Sequence, residues 1–374
     1  MKIKKIQSSV LFCLCIICIS MIGCGNANDT KIISKSEIEQ SEQKKVKCDI
    51  ALVTDLGTIG DRSFNQASWV GIEKYAKENN LKCKFYQPEE GTTYAYVDTI
   101  DIAVADGAKL VVCPGYLYET PVFVVQDKYP NVCFILIDGE PHNSAYTETK
   151  INKNVLAILF EEEQAGFLAG YAAVKDGNTK LGFMGGMAVP AVIQYGYGFV
   201  QGADLAAKEL GIKIEITYTY TGSFTESYET QIMAASWYKN GTDVIFACGG
   251  ALGNSVMVAA EASNAKVIGV DTDQSQESET VITSAIKMIT DAVYVSVKDY
   301  FDGTFKGGVK EVFSAETAGV GLPMQNSKFK SFTKKDYDKI YKKLVSGKIK
   351  IFSRTDNSTT KDIPLKFTKV NFIQ

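Results

Sequence analysis

The stretch Thr54-Asp55-Leu-Gly57-Thr-Ile-Gly60-Asp61-Arg62-Ser63-Phe64-Asn65-Gln66 holds side chains suited to gripping a flat, polar ligand. Asp55 and Asn65 offer hydrogen-bonding groups, and Phe64 offers an aromatic face. Ahead of the stretch, Ile50-Ala-Leu-Val53 reads as a buried strand. Behind it, Trp69, Ile72, Tyr75 and Ala76 are spaced for one apolar helix face. The loop between is glycine-rich and ends in Asp61 and Ser63, either of which could cap the helix. Such a loop lies at the carboxyl end of a parallel strand, where α/β sheets place their ligands. A large aromatic there cannot pack into the sheet below. The plainer reading, with Phe64 stapling the helix to the core and Asp55 shaping a turn, weighs about equally from the loop alone.

Two more carboxylates occupy matched places. Asp138 ends Phe134-Ile-Leu-Ile-Asp138, and Asp271 ends Val267-Ile-Gly-Val-Asp271. Each is a turn residue after its strand or one of a pair of acceptors for ligand hydroxyls, a role that suits ionised carboxylates because they only accept. Their kinship comes from a repeat. Gly107 and Gly241, and Gly115 and Gly249, recur at an offset of 134 residues, and Asp138 and Asp271 at 133. The repeated units are apolar strands alternating with helical patterns. They predict two similar doubly wound α/β lobes, with lobe 1 at about 47–153 plus part of the C-terminal region and lobe 2 at about 161–275. Strand ends of the two lobes would then line a shared cleft. Gly115, Gly249 and Gly250 would let backbone approach a ligand closely, or serve as tight turns. Asn154 to Phe160 joins the lobes. In the tail, Thr333 to Gly347 reads as a helix and Lys348-Ile-Lys-Ile-Phe352 as strand-like.

The ends do not belong to this body. Lys2, Lys4 and Lys5 precede an apolar run from Val10 to Ile22, the pattern of a signal peptide over residues 1–23. Met21-Ile-Gly-Cys24 resembles a bacterial lipobox, which makes Cys24 the expected lipid anchor. Residues 24–46 are polar and charged and read as a disordered tether, long enough to hold a domain just off a membrane. Loss of residues 1–23 removes three lysines and no acid, taking the formal net charge from −3 to −6. That balance argues against a nucleic-acid polymer as partner. Past Cys24, the cysteines Cys48, Cys83, Cys113, Cys133 and Cys248 lie mostly in strand-like runs and read as small buried apolar residues. Neither metal-ligand spacing nor a disulfide framework is visible, and no cofactor is implied.

Several motifs together carry a resemblance. They are Asp55-x-Gly57-x-x-x-Asp61-x-Ser63-Phe64-Asn65-Gln66, Phe134 to Asp138, Glu163-Gln-Ala-Gly-Phe-Leu-Ala-Gly170, Gly222-Ser-Phe224, Gly269-Val-Asp271-Thr-Asp273-Gln274 and Thr283-Ser-Ala-Ile-Lys287. Nearly everything after the tether resembles the basic membrane protein family of substrate-binding lipoproteins, and within it the purine-nucleoside receptors of bacterial ABC importers. The resemblance implies a type I periplasmic-binding-protein fold with two lobes and three hinge crossings. Carried over residue by residue, it implies that Phe64 and Phe224 sandwich the base, that Asp55 and Asn65 bond its edge, and that Asp138, Asp271 and Lys287 hold the ribose. From pattern alone Phe224 follows a Tyr/Thr-rich strand and could be core, and Lys287 would be a solvated lysine on an amphipathic segment. Tyr195 stands where relatives tend to carry Phe, and the segment from Asp273 to Lys287 is shorter than in many of them.

The expected role is therefore capture of a nucleoside on the extracytoplasmic face of a cell membrane, with transport left to a permease and an ATPase on separate chains. The chain has no GxxxxGK[ST] phosphate loop of its own. Competing readings are a receptor for another small ligand such as a sugar or a signalling furanone, a membrane-tethered sensor, and a nucleoside-cleaving enzyme. The last would need an acid, a metal or a phosphate site. His142 is the lone histidine, and it lies in a turn-like stretch expected at the surface.

Overall fold

Ile50-Ala-Leu-Val53 is apolar at every position, and a strand so composed must be covered on both faces. It forms β1 (Ile50–Val53), buried throughout. The computed structural model describes residues 48–353 and 359–373, so the signal peptide, the tether and Cys24 lie outside the described residues. From β1 the chain runs through α1 (Phe64–Glu78), β2 (Cys83–Tyr86), α2 (Thr93–Ala105), β3 (Leu110–Pro114), α3 (Glu119–Lys128), β4 (Cys133–Ile137) and β5 (Val155–Phe160). A second series follows: α4 (Glu162–Lys175), β6 (Lys180–Gly185), α5 (Pro190–Leu210), β7 (Ile214–Tyr220), α6 (Tyr228–Lys239), β8 (Val244–Cys248), α7 (Leu252–Ser263), β9 (Lys266–Asp271) and β10 (Val281–Lys287). The chain then forms α8 (Ile289–Phe301), β11 (Val309–Phe313), β12 (Val320–Gly321), α9 (Lys334–Val345) and β13 (Thr368–Phe372).

The strands build two sheets, ordered β11-β5-β4-β3-β1-β2 and β12-β10-β9-β8-β6-β7-β13. Within them β5-β4-β3-β1-β2 and β10-β9-β8-β6-β7 are the same arrangement five strands apart, so the sequence repeat is a repeat of topology. All pairs are parallel except β10 with β12. In each sheet the strand order reverses between the first and third strands of the series, β1/β3 and β6/β8. Doubly wound sheets bind ligands outside that reversal point.

Three connections cross between the lobes. β5 leads into α4, which packs on α5; β10 leads into α8, which packs on α1; and β11 leads into β12. The α4–α5 contact is made by glycines. A Cβ on Gly166 or Gly170 would overlap the carbonyls of Tyr195 or Phe199, and one on Gly198 or Gly202 those of Glu163 or Phe167. The spacing Gly198-x-x-x-Gly202 thus serves helix packing. It fixes two helices that both contribute to the site described below.

The tail helix is present as α9, closed by a capping box between Thr333 and Asp336. Residues 348–352 do not form the expected strand. The backbone of Phe352 is satisfied instead by the Gln201 side chain, which takes its N–H at 2.8 Å and donates to its carbonyl at 2.9 Å. The terminal strand is β13, added parallel to β7. His142 is also not at the surface. It is 8 % exposed, with Nε2 3.1 Å from Glu119 Oε2 and its ring stacked on Tyr146. Cys48, Cys113 and Cys248 are buried, whereas Cys83 and Cys133 are half-buried at strand starts, and all five are free thiols.

Candidate functional site

The loop after β1 is shaped by its own polar groups. Asp61 caps α1 from upstream, accepting the N–H groups of Ser63, Asn65 and Gln66 at 2.9, 2.9 and 3.0 Å. Ser63 is therefore not used as a side-chain cap. Its hydroxyl donates instead to Asp271 Oδ2 in the other lobe, at 2.6 Å. Asp55 Oδ1 accepts from Gly57 N at 2.7 Å and from Asn65 Nδ2 at 2.8 Å. Burial pushes the Asp55 carboxyl up, and these two bonds hold it back. Asn65 Nδ2 also reaches Asp61, which leaves Asn65 Oδ1 as a buried acceptor with no partner. Such a group is costly unless something else donates to it.

The two phenylalanines are neither in the core nor in open solvent. Phe64 is half-buried, and a Cβ on Gly115 would touch its ring at 3.6 Å. Phe224 is half-buried over Gly186 and Gly249. A side chain on Gly186 would overlap the Phe224 ring, and one on Gly249 would approach it to 3.0 Å. These glycines seat the ring against bare backbone.

Asp138 and Asp271 share an unusual conformation, with φ of 58° and 65°. Non-glycine residues seldom adopt left-handed φ, and where they do the strain is often part of a site. Both acids turn toward Lys287. The lysine is 4 % exposed, so the amphipathic pattern misleads here. Its ammonium pairs with Asp138 Oδ2 and lies 3.5 Å from Glu162 Oε1 and 3.7 Å from Asp271 Oδ1. It also sits 4.8 Å from the centroid of Phe64. Burial alone would lower the lysine, but the three carboxylates outweigh it and hold the ammonium above the usual lysine range. One cation shared by three buried acids leaves excess negative charge, so burial pushes Asp138 up and Glu162 well up. The Tyr195 hydroxyl donates to Ala285 O at 3.3 Å and lies 3.5 Å from Asp271 Oδ1.

These groups enclose one cavity of about 460 Å³, lined by Asp55, Phe64, Asn65, Asp138, Phe224, Gly249, Asp271 and Lys287 together. That size is typical of small-molecule sites, roughly 300–1,000 Å³. The lobes also touch beside it. Arg62 O accepts from Gln274 Nε2 at 2.9 Å, and the Arg62 guanidinium lies 2.8 Å from Glu277. Sequence reasoning did not single out Ser63 or Glu162 for the site. Glu162 looks like one of three acids opening a helix, where a dipole explanation suffices. The available clue is that the acids follow the wholly apolar Val155–Phe160, a buried run that carries two of them, Glu162 and Glu163, into the interior.

The neighbouring Glu163 makes a stability prediction. Burial pushes its carboxyl up to about 7, and Oε2 has no partner. A carboxyl raised on folding stabilises below its unfolded value near 4.5 and ceases to as pH rises through the folded value. Glu163→Gln should therefore flatten the fall in stability between about pH 4.5 and 7, and raise stability at pH 8 by up to about 3 kcal/mol. Thermal melts of both proteins across that range measure it.

Residues 49–355 match the Bmp family, described as ABC transporter substrate-binding protein PnrA-like. The chain belongs to this family. Among Bmp relatives, the ABC transporter nucleoside-binding protein BmpA of Lactococcus lactis subsp. cremoris is 30 % identical over 340 residues, covering 83 % of this chain and 91 % of the relative. Basic membrane protein B of Borreliella burgdorferi is 32 % identical over 305 residues, covering 79 % and 86 %. The fold is shared with a solved ABC-transporter solute-binding protein from Aeropyrum pernix K1, at a TM-score of 0.73 and 22 % identity, covering 83 % of this chain and 94 % of that one. The architecture is thus that of a type I binding protein, and the Bmp family is one of transporter substrate-binding proteins.

Proposed function

We propose that this Bmp protein captures purine nucleosides in the interlobe cavity and delivers them to the permease and ATPase of an ABC importer on separate chains. In this reading Phe64 and Phe224 stack on the two faces of the base, and Asp55 and Asn65 bond its edge. Asp138, Asp271 and Lys287 hold the ribose hydroxyls, and Cys24 carries the lipid that keeps the protein on the extracytoplasmic face. The observation that carries the proposal is one cavity offering an aromatic face from each lobe beside a buried carboxylate–ammonium cluster. A nucleoside has a flat π surface at one end and hydroxyls at the other. Base stacking on an aromatic is worth about 1–3 kcal/mol, and charge-assisted bonds to hydroxyls about 1.5–3 kcal/mol. Contacts drawn from both lobes favour the closed form, so ligand shifts the population toward closure.

A thermal-shift panel tests the reading. Adenosine, guanosine and inosine should raise the melting temperature, as ligands that bind only the native state must. Chromatography of the same mixtures should show no free base. A shift produced by simple sugars alone would assign the site to another small ligand. Steady release of base would assign it to an enzyme.

A further inference from the structure

Tyr94 and Tyr228 are the most exposed large side chains of apolar character among the described residues, each 80 % accessible. They occupy matched places in the two lobes. Tyr94 is in the first turn of α2, which follows β2, and Tyr228 opens α6, which follows β7, the repeat mate of β2. Both helices begin with a hydroxyl cap of the same kind, Thr92 accepting from Ala95 N and Ser227 from Thr230 N. Both starts lie at the rim of the cavity. In the first lobe, Gln87 donates to Leu56 O at 2.9 Å, and a Cβ on Gly91 would lie 3.1 Å from Leu56, a cavity-lining residue. In the second, Phe224, Thr225 and Glu226 line the cavity and run straight into the Ser227 cap.

Along the chain, the charge flanking the two tyrosines is of one sign. Exposed Glu89 and Glu90 precede Tyr94, and exposed Glu226 and Glu229 flank Tyr228. Residues 87–98 and 221–235 contain no lysine or arginine. Tyrosine is enriched in protein interfaces, where an exposed ring anchors and surrounding charge selects the partner. Acidic patches disfavour an anionic lipid surface, which attracts lysine and arginine.

We infer that these two acidic tyrosine patches, one on each lobe beside the cavity mouth, are the docking surface for the importer's permease. The partner is a membrane protein with paired loops bearing lysine or arginine, one loop for each lobe. The patches ride on different lobes, so the distance between them changes with closure. A partner with fixed loop spacing therefore reads the closed, loaded state. This inference rests on the importer reading above.

The test is uptake of labelled adenosine by cells in which the chromosomal gene is replaced by full-length variants. One variant carries E89K, E90K and Y94A, and the other Y228A and E229K. Each should lower uptake about tenfold or more, the loss of one strong interface anchor. The purified variants should keep the wild-type melting temperature and adenosine affinity, and reach the membrane in wild-type amounts. Wild-type uptake by both variants would overturn the assignment. So would sedimentation of the wild-type protein as a dimer that the variants lose, which would give the patches to a second copy of the chain. If deleting the gene leaves uptake unchanged, the importer role itself fails and the docking assignment fails with it. Weakened adenosine binding by the variants would instead place the patches in the ligand site.

Discussion

Replacing Lys287 with methionine is expected to destabilise the protein by about 3–5 kcal/mol, because a buried ion cluster that loses one partner keeps its uncompensated charge. The substitution leaves Asp138, Asp271 and Glu162 facing one another in a site from which water is largely excluded. The melting temperature at pH 8 should fall by roughly 5–15 °C for a body of this size. The sign of the pH dependence distinguishes this cause from simple loss of packing. Without the ammonium, Asp138 and Glu162 are pushed higher still, so protons stabilise the variant. The gap to wild type should narrow steadily as pH falls from 8 to 5. Adding Glu162→Gln should restore part of the loss by removing one of the stranded acids. A melting temperature unchanged at pH 8 would show that the cluster is not held by charge.

The second large effect falls on binding rather than stability. Phe64→Ala and Phe224→Ala should each weaken nucleoside binding by about ten- to a hundredfold, matching roughly 1–3 kcal/mol of base stacking. The double variant should lose on the order of a thousandfold. Both rings are half-buried at the cavity wall rather than set in a core, so folding should survive the change. Removing Phe64 also leaves the Lys287 ammonium without the aromatic face 4.8 Å away, a further small loss. Titration of the variants with guanosine measures the effect. An affinity equal to wild type in the double variant would make the rings structural.

Much of this arrangement is legible in the sequence. The apolar strands and the recurrence of Gly107, Gly115 and Asp138 at Gly241, Gly249 and Asp271 are enough to give two doubly wound lobes, because buried parallel strands leave continuous apolar runs. The strand-end acids could be paired because the repeat aligned them. Their left-handed backbone could not be foreseen, since nothing local to Asp138 or Asp271 demands it. Lys287 shows where pattern reading fails. Periodicity treats a lysine as solvated, and only three acids, each distant in sequence except through the fold, make its burial tolerable. Ser63 looked like a helix cap because serine before a helix usually is one. Asp61 already occupied that role, which freed the Ser63 hydroxyl for the other lobe. The tail strand was misplaced for a similar reason. Lys348 to Phe352 alternates like a strand, but Gln201 satisfies the backbone of Phe352, and β7 pairs with residues 368–372 instead.

Isothermal titration of the wild-type protein with guanosine, and separately with guanine and with ribose, bears most directly on the proposed capture of a whole nucleoside between the lobes. The account predicts one guanosine per chain and an affinity far above that of either fragment, because the rings grip the base while the acid–lysine cluster grips the sugar. Ribose binding as tightly as guanosine, or no heat with any nucleoside in a thermal-shift-verified folded sample, would contradict it.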